Sequence, residues 1–228
     1  MKRLILLSVM VICASVSLAQ INIPGTDVNA ALKQALEQGT NKSVRQLSAV
    51  DGYFGNAAVK IVFPPEAQKV ESTLRRLGQN KLCDDIILSL NRAAEDAAKQ
   101  AAPIFLVAIR QMTLQDASNI LLGPPDAATQ YFKRATTADL TIKFRPVIQG
   151  SLEKVGATRL WAQAAGIYNK VPFVAKVNPD LAGYATQKAI DGLFIQIAAE
   201  ELNIRQNIGA RSTPLLQKVF AIVDKSKK

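Results

Sequence analysis

The stretch that most constrains the fold is Asn178 to Asn207, NPDLAGYATQKAIDGLFIQIAAEELNIRQN, whose apolar residues cover most of a helical circumference. Asn178 is suited to cap it, and Pro179 to occupy its first helical position, where a missing N–H costs nothing. The pattern runs for about 29 residues, or ~43 Å at 1.5 Å per residue. A helix apolar on most sides is a core helix. At 100° per residue, Gln196, Glu200, Asn203 and Asn207 form a polar stripe that reads as the face turned to water. Opposite them the wheel places Asp191, Glu201 and Arg205 beside Phe194 and Ala198, flanked by Ile190 and Ile197. Buried charges are costly unless paired and hydrogen-bonded, so these three require partners, a wet cavity or a ligand. Glu201 and Arg205 stand at i,i+4 spacing in the favourable order, which makes an internal network the first reading and a ligand site the second.

The rest of the chain also reads as helices. Thr26 or Asp27 can cap one carrying Val28, Ala31, Leu32, Ala35 and Leu36 at helical spacing, with Gly39 a possible interruption before a second piece reaching Ala49. Asp51-Gly52-Tyr53-Phe54-Gly55-Asn56 is a turn with two rings between two glycines, read either as a loop pinned to the core or as the rim of a ligand cleft. Asn56 is suited to cap a short helix through Val62, which Pro64-Pro65 ends. Pro65 then opens a helix to Leu77, with Gly78 as its stop, and Asn80 to Ala102 follows, broken or kinked at Pro103. Thr113-Leu114-Gln115-Asp116 has the form of a capping box for a helix to Leu122. Further helices are expected to begin at Asp126 and Ala127, to run from Ala138 to Val155 behind Thr137 or its neighbour with a kink at Pro146 and Gly156 as the stop, from Ala157 to Tyr168, and from Pro214 behind Thr213. Pro64-Pro65-Glu66-Ala67 and Pro124-Pro125-Asp126-Ala127 echo each other, and helix-start chemistry explains the echo. No sustained alternating β-branched run occurs, so the expected fold is all-α, with about eight to ten helices in one domain over residues 20–228.

The chain opens MKRLILLSVMVICASVSLAQ: a basic start at Lys2 and Arg3, an apolar run, and a small-x-small site at Ser17-Leu18-Ala19. This predicts a secretory signal peptide over residues 1–19 and an exported protein with no transmembrane segment. A lipid anchor on Cys13 is the alternative, disfavoured by the bulky Ile12 before it. Once Cys13 is removed only Cys83 remains, so no internal disulfide can form and an apolar core must hold the domain, in keeping with the 49% hydrophobic composition. Cys83 itself falls on the apolar side of a helix beside Leu82 and Ile86, as a small buried side chain. The formal charge of +10 drops by two with the leader and still favours anionic partners: lipid, polysaccharide or an acidic protein. Scattered basic residues and 6% aromatics argue against nucleic acid.

The chain has no histidine, which removes Ser-His-Asp and Cys-His mechanisms and the usual zinc sites. No phosphate-binding loop, dinucleotide fingerprint or nucleophile elbow is present, so no cofactor, metal or catalytic residue is expected. The neighbours Asp84-Asp85 and Glu200-Glu201 point about 100° apart on a helix and form no shared acid/base site alone. The strongest constellation is Asp191, Glu201 and Arg205, extended by Arg211, whose guanidinium fork suits a carboxylate or phosphate. With Tyr53 and Phe54 these are the candidate ligand-binding residues. Both arginines can equally tie the last helix to the long one.

Several segments together carry a resemblance: the leader, Asp51-Gly52-Tyr53-Phe54-Gly55-Asn56, Met112-Thr113-Leu114-Gln115-Asp116-Ala117, Ile120-Leu121-Leu122-Gly123, Ala127-Ala128-Thr129 with Tyr131-Phe132, Asp191-Gly192-Leu193-Phe194, and Glu200-Glu201 with Ile204-Arg205 and Ala210-Arg211. Over nearly the whole mature chain the sequence resembles the bacterial family called domain of unknown function 4197. The resemblance implies an exported, helical, periplasmic protein of a Gram-negative bacterium and brings no activity, cofactor or site residue. Three functional expectations stand: a non-enzymatic periplasmic binding or interaction domain with a cleft for an apolar or anionic molecule or a peptide; an enzyme using Asp191 or Glu201 as acid or base; and a structural envelope module binding lipid or protein through its basic surface.

Overall fold

Backbone chemistry at the helix ends accounts for most of the element boundaries. The computed structural model describes residues 25–169, 176–178 and 180–226; the expected leader, the connection at Val171-Pro172 and Pro179 lie outside them. Among the described residues there are nine α-helices and no strand: α1 (Gly25–Ser48), α2 (Gln68–Arg76), α3 (Asn80–Ala98), α4 (Ala101–Gln111), α5 (Leu114–Leu122), α6 (Ala127–Lys154), α7 (Ala157–Tyr168), α8 (Leu181–Gln206) and α9 (Pro214–Ser226). The fold is all-α, as expected. No described helix is long and apolar enough to cross a membrane.

The capping box opens α5: Asp116 N donates to Thr113 Oγ1 at 3.1 Å, and Thr113 N to Asp116 Oδ2 at 2.9 Å. Thr113 and Asp116 were legible because both partners lie within one turn. Elsewhere the boundaries differ from those expected. α1 continues through Gly39, which lies against Glu200 and Ile204 of α8. Residues 56–62 form no helix; Val59 N and Lys60 N turn back to Asn56 O, and the chain then extends into Pro64, which disfavours helical geometry in the residue before it. α3 ends at Ala98 rather than Ala102, and Pro103 falls in the first turn of α4, where it costs no hydrogen bond. Thr137 starts no helix: its hydroxyl donates to Lys133 O inside α6. α8 begins at Leu181 and its cap is Asp180, whose Oδ1 accepts from Gly183 N at 2.8 Å, while Asn178 Oδ1 accepts from Asp180 N.

The centre is shared by the two longest helices. α6 and α8 pack along each other, α3 lies against both, and α1 crosses α3, α4, α5, α8 and α9. Ala93, Ala94, Ala97 and Ala98 of α3 are fully buried and let neighbouring backbones approach closely. Phe105 of α4 joins the layers, with its ring 5.2 Å from Phe132 of α6 and 6.4 Å from Phe194 of α8, both edge-on. Trp161 of α7 closes the other end against Phe63 and donates Nε1–H to Asn178 O.

Residues 51–64 form a strap between α3 and α8. Gly192 makes this possible, since a Cβ there would stand 2.8 Å from Tyr53 Cε1 and 3.1 Å from Val59 Cβ. Gly192→Ala is expected to destabilise by about 1–3 kcal/mol through overpacking. In the interior of α6, Gly150→Ala meets nothing within 4 Å and is expected to stabilise by up to about 1 kcal/mol; urea denaturation of the two variants measures both signs.

The Gly183 amide, opposed by burial and assisted by Arg145 at 2.8 Å, holds the Asp180 carboxyl below the usual carboxylate range. A depressed folded-state pKa gives stability that is present above the unfolded value of about 3.9 and is lost as pH falls through the folded one. Asp180→Asn is expected to lower stability at neutral pH and to flatten the loss below that value, as read by thermal melts across an acid series.

Candidate functional site

The charges singled out on the long helix separate into two places. Glu201 is buried, at 8% exposure, and its carboxylate meets the first turn of α6. Ala128 N donates to Oε1 and Thr129 N to Oε2, both at 2.9 Å, and Thr129 Oγ1 donates to Oε2 at 2.8 Å. These amides belong to the second and third residues of α6, two of the donors that a helix start leaves without partners. Asp126, in the N-cap position, makes no side-chain cap bond. Glu201 of α8 therefore caps α6 from outside, with its negative charge at the positive end of the dipole.

Arg205 completes the arrangement. Its Nε and Nη2 donate to Glu201 Oε1 at 3.0 and 2.8 Å, and Nη2 and Nη1 reach Ile120 O at 2.7 Å and Leu121 O at 3.4 Å. Those carbonyls end α5, so the cation meets the negative end of that helix. One turn of α8 thus clamps the α5–α6 corner with both signs of charge. Arg211, 3% exposed, donates to Ile204 O and Arg205 O at the end of α8 and to Asp224 of α9, and lies over the Phe220 ring. The space beside the clamp is an apolar pocket of about 30 Å³ lined by Leu36, Ile120, Phe132 and Ile197 among others, room for roughly one or two waters.

Asp191 corrects the wheel. Its side chain is 45% exposed, accepts from Gln187 Nε2 at 2.9 Å, and lies 3.9 Å from Lys188 Nζ. It stands ten residues from Glu201, ~15 Å along the axis, and shares nothing with the clamp. Half of the stripe expected to face water instead turns to α1, where Gln196 pairs with Gln46 and Glu200 with Lys42 at 2.7 Å, while Asn207 at its end is exposed as expected. Water meets the face of Lys188, Ile195 and Leu202. Two exposed aliphatic residues and a pairing partner on a distant helix defeated the wheel.

The glycine-aromatic turn is also rearranged. Tyr53 is fully buried, donates its hydroxyl to Ala189 O at 2.6 Å, and so does not reach a rim. Burial, helped by the charge of Glu95, pushes its phenol far above the ordinary value. Phe54 is half-buried with Lys60 Nζ 4.0 Å from its ring centre. The positive φ of the turn belongs to Asp51, at 66°, while Gly52 is needed because a Cβ there would strike Gln46 O and Leu47 O. The residues that hold this strap went unnoticed in the sequence. Glu95 Oε1 accepts from Tyr53 N and Phe54 N, its Oε2 accepts from Arg92, and Arg92 reaches Asp51. The signal was Asn91 and Glu95, one turn apart amid the buried alanines of α3.

An open groove of about 520 Å³ lies between the strap, α8 and α6. Lys60, Lys133 and Lys188 border it with Asp191 as the sole acid among the described side chains, and the half-exposed side chains of Val62 and Ile195 give it apolar ground. Among the described residues no cluster of side chains suited to a metal ion occurs.

The family model described as "Protein of unknown function (DUF4197)" matches residues 22–221, a span that contains the clamp, the strap and the groove. The chain belongs to this family. No curated protein and no solved structure matches it.

In this DUF4197 member, Arg205→Ala leaves Glu201 buried beside two amides without its cation and uncaps two carbonyls of α5. A loss of about 3–5 kcal/mol is expected, the scale of breaking a buried pair. Replacing Glu201 by Gln and Arg205 by Met together is expected to cost less than the sum of the single changes. Chemical denaturation of the single and double variants measures the difference.

Proposed function

We propose that this DUF4197 member is an exported, non-enzymatic binding module of the cell envelope, and that the groove between the strap and α8 receives an anionic ligand or partner. The observation that carries the reading is the groove's composition: among the described side chains, three lysines face one aspartate around open, partly apolar space. The residual basic charge of the chain supports an anionic partner by attracting it over distance. The apolar leader at the start of the sequence supports export.

The enzymatic alternative finds less support. Glu201 accepts five hydrogen bonds from Ala128, Thr129 and Arg205, which leaves it no direction in which to exchange a substrate proton. Asp191 is open to the groove, but its contacts are Gln187 and Lys188, so it stands as an organiser of the lysine.

Titration of the purified protein with citrate, followed by amide NMR, tests the proposal. Shifts concentrated at Lys60–Phe63 and Lys188–Ile195 are expected, weakening as salt is raised and lost in a Lys60→Glu/Lys188→Glu variant. Citrate shifts scattered over other surfaces, or none together with co-sedimentation on anionic vesicles that leaves the groove unperturbed, would overturn it.

A further inference from the structure

The strap has the backbone geometry of a strand that lacks a neighbour. Asn91 of α3 is fully buried, and its side-chain amide makes a two-point contact with one strap residue: Ile61 N donates to Oδ1 at 2.8 Å and Nδ2 donates to Ile61 O at 2.7 Å. That is the bond pattern by which a residue of an adjacent strand pairs with its opposite number. In extended chain, successive residues direct their N–H and C=O groups to opposite sides, so Val62 turns its own pair toward α8. Val62 O confirms the direction, accepting from Tyr184 OH at 3.0 Å across the groove. Val62 N has no hydrogen-bond partner among the described residues. Side chains alternate as a strand requires: Ile61 and Phe63 are buried, while Lys60 and Val62 stand out.

We propose that the occupant of the groove is an extended acidic peptide segment that adds its main chain to the Val62 edge while its carboxylates meet Lys60, Lys133 and Lys188. This rests on the groove being an anion-binding site. Strand addition to an open edge takes its affinity from main-chain bonds and its selectivity from alternate side chains. The Lys60–Phe63 edge is short, since Pro64 has no N–H to offer, and it matches three or four peptide residues, roughly 10–13 Å. Val62 O keeps a second lone pair after accepting from Tyr184, so donor and acceptor of Val62 both remain usable. Peptide side chains directed at α8 meet the apolar Ile195 and the ammonium of Lys188, a pairing that favours alternating acidic and aliphatic residues.

The test compares three probes on the purified protein by calorimetry and amide NMR: a short capped peptide of alternating glutamate and valine, the same peptide N-methylated at alternate amides, and a lysine-valine counterpart. The acidic peptide is expected to bind with its largest shift at the Val62 amide, the N-methylated form about tenfold more weakly, one main-chain bond's worth, and the basic form not at all. Val62→Pro removes an N–H that no described group uses and is expected to reproduce the tenfold loss, whereas Val62→Thr keeps it. If Val62→Pro fails to fold, the N-methylated probe decides alone. Equal binding of methylated and unmethylated acidic peptides would overturn the edge pairing while leaving the anionic groove in place. Failure of both the peptides and citrate to bind would remove the groove reading as well.

Discussion

The α5–α6 corner depends on one ion pair used at two helix ends. A helix that starts or stops in the interior leaves amides or carbonyls without partners, and each orphan costs as much as a lost hydrogen bond. Here α5 stops at Leu122 and α6 starts at Ala127, so a negative and a positive dipole end lie side by side. Glu201 and Arg205 answer both at once, the carboxylate on Ala128 and Thr129 and the guanidinium on Ile120 and Leu121. The pair is thereby more than a neutralised charge in the core. Arg211 extends the same logic by taking the last carbonyls of α8 and tying them to Asp224 of α9.

A similar economy holds the strap. Buried side chains of α3 do the work of a missing strand and a missing turn: Asn91 for Ile61, and Glu95 for the amides of Tyr53 and Phe54. The device recurs at Asn169, whose amide grips both backbone groups of Val177. Extended chain can thus lie on a helical body without a sheet, one edge satisfied by a side chain and the other directed into the groove.

What was legible in the sequence was local. The capping box at Thr113 and Asp116, the helix stops at Gly78 and Gly156 with φ of 78° and 70°, and the all-helical pattern need only nearby residues. The i,i+4 pairing of Glu201 and Arg205 was visible for the same reason. What the pair was for was not visible, because its partners on α5 and α6 lie about seventy to eighty-five positions away in the chain. The water-facing side of α8 failed on the same ground: the stripe of Gln196 and Glu200 looked solvated until α1 supplied Gln46 and Lys42. The groove was half seen. Asp191 and Phe54 pointed to its neighbourhood, but Lys60, Val62 and Lys133 carry no sequence pattern that distinguishes them from other surface positions.

Placing both charges of the clamp on one helix has a consequence for the order of assembly. Glu201 and Arg205 sit a single turn apart, so the formation of α8 already sets their mutual geometry and restricts their rotamers before any other helix arrives. The ordering entropy of two long side chains is then spent locally, where chain closure is cheapest. When the α5–α6 corner docks it meets a preset plug, and the only freedom left to lose is its own. A pair divided between two helices would have charged both costs to the slowest, longest-range step of folding.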